Sequence, residues 1–231
     1  MNKKLFKTII LNTLPVMTGY LVLGFGLGVL MADKGIGVFW TLVSSLIIYA
    51  GSMQFVLVNL ITSGAGLLTT ALTTLMVNAR HLFYGISMVD KYRSAGGKKP
   101  YLIFALTDET YSLVCSGNTP EGVKPHKYQF LVSLFNQIYW VMGSLLGALF
   151  GTAIPINTKG IDFCMTALFI TIFVEQWLTT KDKRASLIGL ITTACCLLIF
   201  GKEVFLIPSM VIISLFLLLL KPKKEKEEEN D

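Results

Sequence analysis

Eight apolar runs dominate this chain of 231 residues and leave little polar sequence for a water-exposed surface. The runs lie near residues 8–31, 38–62, 65–90, 101–116, 130–152, 162–180, 186–200 and 204–220. A helix that crosses a bilayer needs about 20 apolar residues. Charged residues make up 15% of the chain, whereas soluble domains carry roughly 25%. The pattern therefore predicts an all-α fold, a polytopic transmembrane helical bundle of about seven to eight helices.

Two short segments that recur in the second half of the chain indicate an internal repeat. Lys34-Gly35-Ile36 recurs as Lys159-Gly160-Ile161, and residues 66–71 recur as 189–194, at offsets of 125 and 123 residues. Similar offsets at two separate places favour duplication over a chance likeness of apolar runs.

The predicted repeat halves are residues 8–100 and 130–220, within a single transmembrane transporter domain over residues 1–220. The same offset aligns Asn78-Ala79-Arg80 with Gly201-Lys202-Glu203, so each half breaks a helix with polar residues at one corresponding point. Paired helix breaks of this kind mark binding sites in transporters. We therefore expect the substrate path where the two halves meet.

The basic residues predict the orientation. If all eight runs cross the membrane and the N-terminus is cytoplasmic, most basic residues lie on the cytoplasmic side, as the positive-inside rule requires. The charged tail, residues 221–231, is then cytoplasmic too. The basic loop 91–99 is the exception, which indicates that residues 65–116 are not two plain crossings. The runs 101–116 and 186–200 are short for a crossing, so we expect them to be tilted, broken or partly re-entrant.

Glycines at four-residue spacing form two predicted packing faces. Gly24 and Gly28 lie in the first run, and Gly143, Gly147 and Gly151 lie in the fifth. Small residues at this spacing let helix backbones approach closely in lipid. The interpretation is structural.

Arg80 lies inside an apolar run, between Asn78 and His81 in the segment 78–81. An Arg at the bilayer centre costs at least about 2.5 kcal/mol, so it needs an acidic partner or a wet cavity. Asp108 and Glu109 are the candidate partners, and adjacent helical positions point about 100° apart. One acid can therefore pair with Arg80 while the other faces a cavity. The alternatives are a salt bridge that only locks the bundle and, for the two acids, a helix end among lipid headgroups.

A carboxyl group in a low dielectric disfavours its charged form, which suits proton uptake and release during transport. Asp108 and Glu109 are therefore candidate proton carriers, and Glu109 is the expected titrating member because its longer side chain reaches a cavity more easily. Glu175 is a further candidate, with an interfacial acid as the alternative because it lies six residues before Lys181. The chain offers no spacing typical of metal ligands and no nucleotide loop. Its basic clusters between apolar runs do not predict nucleic-acid binding.

Five short segments occur in the order that one family shares: Gly24-Phe25-Gly26, Ala50-Gly51-Ser52-Met53-Gln54-Phe55, Asn78-Ala79-Arg80-His81-Leu82-Phe83-Tyr84-Gly85, Thr107-Asp108-Glu109 and Gly160-Ile161-Asp162-Phe163. With these segments the chain resembles the AzlC family, the large subunits of bacterial branched-chain amino acid exporters. The resemblance implies proton-driven export of leucine, isoleucine and valine across the cytoplasmic membrane, with methionine as a further candidate. It also implies a small membrane subunit of the AzlD type.

A zwitterionic substrate suggests roles for these residues. We expect its carboxylate to meet Asn78, Arg80 or helix N-terminal amides, and its ammonium to meet Asp108 or Glu109. The candidate substrate-binding residues are Asn78, Arg80, His81, Gln54, Phe55 and Tyr84, with an apolar pocket near Phe55, Phe83 and Tyr84.

Two rival classes remain. A non-transporting scaffold subunit conflicts with the cost of polar residues at membrane depth. An intramembrane enzyme lacks support because the sequence has neither an HExxH nor a GxSxG pattern.

Overall fold

The computed structural model describes residues 3–115, 117, 119–120, 122–153 and 183–220, with isolated positions between 160 and 178. These residues belong to two compact units, Met1–Ala167 and Leu168–Asp231. Glu175, Asp162 and the tail 221–231 lie outside the described residues.

Helices make up the regular structure of the described residues, which confirms the all-α prediction. The first unit contains α1 (Lys3–Asp33), α2 (Val38–Ile47), α3 (Gly51–Thr62), α4 (Leu67–Asn78), α5 (Arg80–Met88), α6 (Lys99–Phe104), α7 (Asp108–Val114) and α8 (Pro125–Ala153). The second unit contains α9 (Arg184–Val204) and α10 (Leu206–Leu220). Three described helical segments are long and apolar enough to cross a membrane: Leu5–Asp33, Pro125–Ala153 and Arg184–Gly201. The last segment contains the run 186–200, so the prediction that this run is short for a crossing is wrong, because its helix begins before the apolar residues do.

The helices α1 and α8 run parallel and pack side by side. Near the start of both helices, Asn12 Nδ2 donates a hydrogen bond to the Tyr128 hydroxyl at 2.9 Å. Near their ends, a Cβ placed on Gly151 would lie 3.1 Å from Val29 Cα. The contacts follow the same order along α1 and α8. The N-terminal ends of these two helices therefore lie at the same end of the unit.

The two predicted glycine faces pack against each other at this contact. A Cβ on Gly24 would lie 3.0 Å from the Ser144 backbone nitrogen, and a Cβ on Gly143 would lie 2.8 Å from the Leu21 carbonyl oxygen. Any larger residue would push the backbones apart, so glycine is what allows the close approach. The predicted packing role of these glycines is confirmed.

The chain reverses direction between α2 and α3. Gln54 Nε2 donates to Ser44 Oγ at 3.2 Å and lies 3.3 Å from Ser45 Oγ. In one continuous helix, residues ten apart would be about 15 Å apart, so the segment bends back. The bend occurs at Tyr49, which has a φ of 43°. The prediction of a single crossing over residues 38–62 is therefore wrong, because the run is a pair of half-length helices.

The short helices α6 and α7 form a second pair of this kind. The Lys98 ammonium, just before α6, lies 5.2 Å from the centroid of the Phe130 ring in the first turns of α8. Beyond the end of α7, the Cys115 carbonyl oxygen accepts a hydrogen bond from Lys91 Nζ. One hydrophobic cluster joins both ends of this pair to α1 and α8, through Leu5, Ile9, Met88, Tyr92, Leu102, Val114, Tyr128 and Val132. Of the predicted options for residues 101–116, the structure therefore shows a re-entrant segment.

This second pair changes the position of the basic loop 91–99. The loop lies at the end of the unit where α1 and α8 begin, near Lys7, Lys124 and Lys127, and not at the opposite end as eight plain crossings require. Lys34 lies at the far end of α1, where it pairs with Asp33 at 3.3 Å. More of the unit's basic residues therefore lie at the end where α1 and α8 begin than the sequence predicts.

Both predicted helix breaks are present in their own units. In the first unit α4 ends at Asn78 and α5 begins at Arg80. In the second unit α9 contains Gly201 with φ 73° and ψ 174°, a left-handed φ that glycine tolerates. Because many residues between 154 and 182 lie outside the described part, the superposition of the two halves stays a prediction.

Labelling of single cysteines tests the two re-entrant pairs. In a variant with the native cysteines replaced, we expect Ser94→Cys and Lys124→Cys to react with an impermeant maleimide from the same side of the membrane. Ser63→Cys, after α3, reacts from the opposite side. Eight plain crossings instead place Ser94 and Lys124 on opposite sides, so that pattern would contradict the fold.

Candidate functional site

The Arg80 guanidinium connects three interrupted segments of the first unit. Its Nη1 lies 2.6 Å from Asp108 Oδ2, and its Nη2 donates to Ser52 Oγ at 2.6 Å. Arg80 begins α5, Ser52 lies in the first turn of α3, and Asp108 begins α7. The ion pair predicted for Arg80 is therefore present, and Asp108 is the acidic partner.

Thr107 explains why α7 begins where it does. Its backbone is extended, with φ −89° and ψ 172°, and its Oγ1 accepts a hydrogen bond from the Thr110 backbone N–H at 3.3 Å. Threonine is a preferred N-cap residue because its side chain satisfies a backbone donor of the first turn. The cap places Asp108 and Glu109 together in that turn, where acidic side chains also favour the helix dipole.

The Arg80–Asp108 pair is shielded but not sealed. The side chains keep 23% and 20% of their accessible surface. The Tyr84 phenol interacts with Asp108, and its ring stacks on Tyr111 with centroids 4.7 Å apart and an interplanar angle of 16°. The stacked rings cover one side of the ion pair. The surface that stays exposed leaves both charged groups within reach of a small molecule.

Glu109 belongs to a different hydrogen-bond network. The Tyr20 hydroxyl donates to Glu109 Oε2 at 2.7 Å and lies 2.7 Å from Thr107 Oγ1. Thr107 Oγ1 in turn donates to Thr110 Oγ1 at 2.9 Å, and Asn136 Nδ2 donates to the same Thr110 oxygen at 3.0 Å. The two adjacent acids therefore point into separate surroundings, as their helical spacing predicts.

Most of the predicted binding residues lie around the ion pair. Asn78 ends α4, and its carbonyl oxygen lies 3.2 Å from His81 Nδ1. The His81 ring packs edge-on to Tyr84 with centroids 5.8 Å apart. Asn78, Arg80, His81 and Tyr84 therefore form one continuous group beside Asp108.

The structure does not bring Gln54 and Phe55 into this group. Gln54 is only 1% exposed, and its Oε1 accepts a hydrogen bond from Trp140 Nε1 at 2.8 Å. Its amide nitrogen holds the α2–α3 bend, so the whole side chain is occupied. Phe55 is buried at 5% exposure. Glu175 lies outside the described residues.

An open apolar groove of about 440 Å³ runs beside His81, between α5 and α6. Its lining includes Leu82, Gly85, Ile86, Ile103 and Leu106. The structure therefore places the apolar space on the α6 side of His81, whereas the sequence predicted it near Phe55, Phe83 and Tyr84.

Sequence reasoning missed four residues of the site: Tyr20, Ser52, Thr110 and Asn136. Tyr20 and Asn136 each lie within a long apolar run. A polar side chain at membrane depth is costly unless it has a partner. This cost could have identified Tyr20 and Asn136 from the sequence as residues that need a partner, but it does not indicate which partner each one has.

The helical fold and the charged pair among interrupted helices define a polytopic membrane protein with a buried polar site. The family model described as "AzlC protein" matches residues 15–154, a segment that contains the Arg80 and Glu109 networks. The chain belongs to the AzlC family.

Similar proteins occur in several bacteria. The "Branched-chain amino acid transport protein AzlC" of Bacillus subtilis is 43% identical over 208 residues, covering 90% of this chain and 82% of that protein. A membrane protein of Haemophilus influenzae is 44% identical over 200 residues, covering 86% and 82%. The "Inner membrane protein YgaZ" of Escherichia coli is 23% identical over 207 residues, covering 88% and 84%. No solved structure is a significant match.

A double-mutant cycle measures the coupling between Arg80 and Asp108. We expect Arg80→Gln and Asp108→Asn each to lower the free energy of unfolding by about 2–3 kcal/mol, because each leaves a partly buried charge without its partner. The double variant should recover on the order of 1–2 kcal/mol of the sum. Denaturant titration in mixed micelles measures these values.

The exposed pair Asp33–Lys34 is the matched control. Its side chains keep 35% and 43% exposure, so the cycle of Asp33→Asn and Lys34→Gln should show coupling below about 0.5 kcal/mol. Purely additive effects at Arg80 and Asp108 would contradict the structural role of the buried pair.

Proposed function

We propose that this protein is a secondary transporter that exports branched-chain amino acids across the bacterial cytoplasmic membrane. Leucine, isoleucine and valine are the proposed substrates, with methionine as a further candidate. Export is coupled to protons and requires a small membrane subunit of the AzlD type. The observation that carries the proposal is the Arg80–Asp108 pair, accessible among interrupted helices, in a chain 43% identical to a branched-chain amino acid transport protein.

The substrate resembles the pair that it replaces. A free amino acid carries one carboxylate and one ammonium group, so it can bind between Arg80 and Asp108 when their 2.6 Å contact opens. The substrate carboxylate then meets the Arg80 guanidinium, which offers a planar set of donors. The substrate ammonium meets Asp108. Because one ion pair is exchanged for two, neither charge is left unpaired at membrane depth.

Neutral groups complete the proposed binding site. Asn78 and His81 flank Arg80 at the break between α4 and α5, and the Tyr84 ring packs against His81. The apolar groove beside His81 offers space for an aliphatic side chain, where burial from water is favourable. We therefore expect this arrangement to favour branched-chain over polar side chains. Gln54 acts indirectly in this proposal, because its amide group holds the α2–α3 bend that positions Ser52. Phe55 is buried and makes no proposed substrate contact.

Glu109 is the proposed proton carrier. It lies next to Asp108 in the first turn of α7, and its carboxylate accepts a hydrogen bond from the Tyr20 hydroxyl at 2.7 Å. A carboxyl group is able to change charge in the working pH range, whereas Arg80 is not. The proposal therefore assigns substrate binding to Arg80 and Asp108 and proton binding to Glu109.

The basic residues support a cytoplasmic N-terminus. Lys7, Lys91, Arg93, Lys124 and Lys127 lie at or beyond one end of the first unit, and the positive-inside rule assigns such an end to the cytoplasm. On the lateral surface, α4 has no buried residue, and Leu67 and Leu68 are 91% and 75% exposed. Lipid and the small subunit are the proposed neighbours of such apolar surfaces.

An efflux assay tests the function directly. Cells that lack this gene should accumulate leucine, isoleucine and valine when fed dipeptides containing them. Expression of the chain with its AzlD-type subunit should restore efflux. Arg80→Gln should remove this efflux, while the surface variant Lys34→Gln keeps it. Equal efflux from cells with and without the gene would contradict the proposed transport of these amino acids.

The coupling role of Glu109 predicts a separation of two activities. In vesicles, Glu109→Gln should abolish proton-driven efflux while substrate exchange continues, because Gln keeps a similar shape and cannot titrate. Asp90→Asn, at an exposed carboxylate beyond α5, is the control and should leave both activities unchanged. Proton-driven efflux that persists in Glu109→Gln would remove Glu109 from the coupling mechanism.

A further inference from the structure

Three buried oxygen atoms lie along one face of α8. Asn136 and Ser133 have no exposed surface, and Gln129 is 5% exposed. Asn136 Oδ1, Ser133 Oγ and Gln129 Oε1 have no hydrogen-bond partner among the described residues. At 100° per residue these positions fall within an arc of about 60°, and they span about 10 Å of the helix. We call this row of Gln129, Ser133 and Asn136 the polar stripe.

The polar stripe begins at the Glu109 network and leads toward a membrane surface. Asn136 is its inner end, because its Nδ2 donates to Thr110 Oγ1 at 3.0 Å. Gln129 is its outer end, four residues after Pro125 at the start of α8. The exposed residues Lys124 and Lys127 flank that start. The stripe therefore connects the region of Glu109 to the end of the unit where α1 and α8 begin.

Buried polar atoms without protein partners are the places where ordered water is found. A single unpaired oxygen can be a local defect. Three unpaired oxygens on one helical face, with Asn136 joined to the hydrogen-bonded network of Glu109, favour one shared cause. We infer that the polar stripe holds a row of water molecules that carries protons between the Glu109 network and the membrane surface at the start of α8. This inference rests on the proposed proton coupling and names the path for it.

The hydroxyl groups between Glu109 and the polar stripe can pass a proton along, because each one accepts a proton as it gives up its own. Protonated Glu109 gives its proton to Tyr20 Oη as the Tyr20 proton passes to Thr107 Oγ1. The Thr107 proton passes to Thr110 Oγ1, and the Thr110 proton passes to the first water molecule. Each hydroxyl group ends neutral, and Glu109 is left as a carboxylate. Asn136 transfers no proton; it holds Thr110 through its Nδ2 and water through its Oδ1.

Charged and titratable groups around Glu109 come from each neighbouring segment. They are Tyr20 on α1, Tyr49 in the α2–α3 bend, Arg80 and Tyr84 on α5, and Asp108 on α7. On α8, the neutral side chain of Asn136 contacts this network through Thr110. A path along α8 therefore avoids the fixed charges of the substrate site.

A matched pair of serine variants tests the path. Ser133 and Ser144 are both fully buried on α8, but Ser144 Oγ already donates to the Trp140 carbonyl oxygen at 2.8 Å. In vesicles that contain the full chain and its small subunit, Ser133→Ala should slow proton-driven leucine flux by about tenfold, the loss expected for a buried water position. Leucine exchange should stay within about twofold of the unaltered protein. Ser144→Ala should leave the ratio of the two rates unchanged.

The outcomes separate this inference from the proposed function. Loss of coupling in Glu109→Gln together with normal proton-driven flux in the stripe variant overturns the path alone. Absence of proton-driven flux in the unaltered protein overturns both the path and the coupling. If the stripe variant does not fold, the unaltered protein still decides the question. Its experimental structure should show ordered water within 3.5 Å of Ser133 Oγ and Asn136 Oδ1, and dry surroundings there would overturn the path.

Discussion

The close contact between α1 and α8 is the interaction on which the first unit depends. Helices in lipid gain little from the hydrophobic effect on association, so packing between small residues and hydrogen bonds must hold them together. Gly24 and Gly143 provide that packing, because any Cβ there would meet the backbone of the other helix. Tyr20 lies one turn before Gly24, and its ring packs against Trp140 at 5.4 Å. The glycine contact therefore sets the distance at which Tyr20 reaches Glu109 and Trp140 reaches Gln54.

The interrupted helices depend in turn on polar side chains. Backbone groups at membrane depth must find partners inside the protein, since lipid offers none. Thr107 satisfies a backbone N–H of α7, and the Gln54 amide fastens the two arms of the α2–α3 bend. Arg80 then joins the α3 segment to the α7 segment through Ser52 and Asp108. Several polar residues near the site therefore have a structural function, and their presence alone does not identify a ligand contact.

Sequence reasoning predicted the elements whose signal is local. The glycine faces of α1 and α8 follow from four-residue spacing, and the acidic partner of Arg80 follows from the cost of an unpaired charge. The half-length pairs were harder to predict, because a run such as 38–62 has the same composition whether it crosses once or turns back at Tyr49. The basic loop 91–99 was the one clear warning. The Glu109 partners Tyr20 and Asn136 come from distant helices, so only the three-dimensional fold could select them.

The adjacency of Asp108 and Glu109 gives the proposed cycle a physical basis for coupling. While Arg80 holds Asp108, the acid beside Glu109 is neutralised. If the pair opens without substrate, an uncompensated carboxylate lies next to Glu109, and like charge favours the protonated form of Glu109. A bound zwitterion places its ammonium at Asp108 and removes that repulsion. In the proposed cycle, substrate and proton therefore act on one another through Asp108, and thermodynamic linkage requires that the influence be equal in both directions.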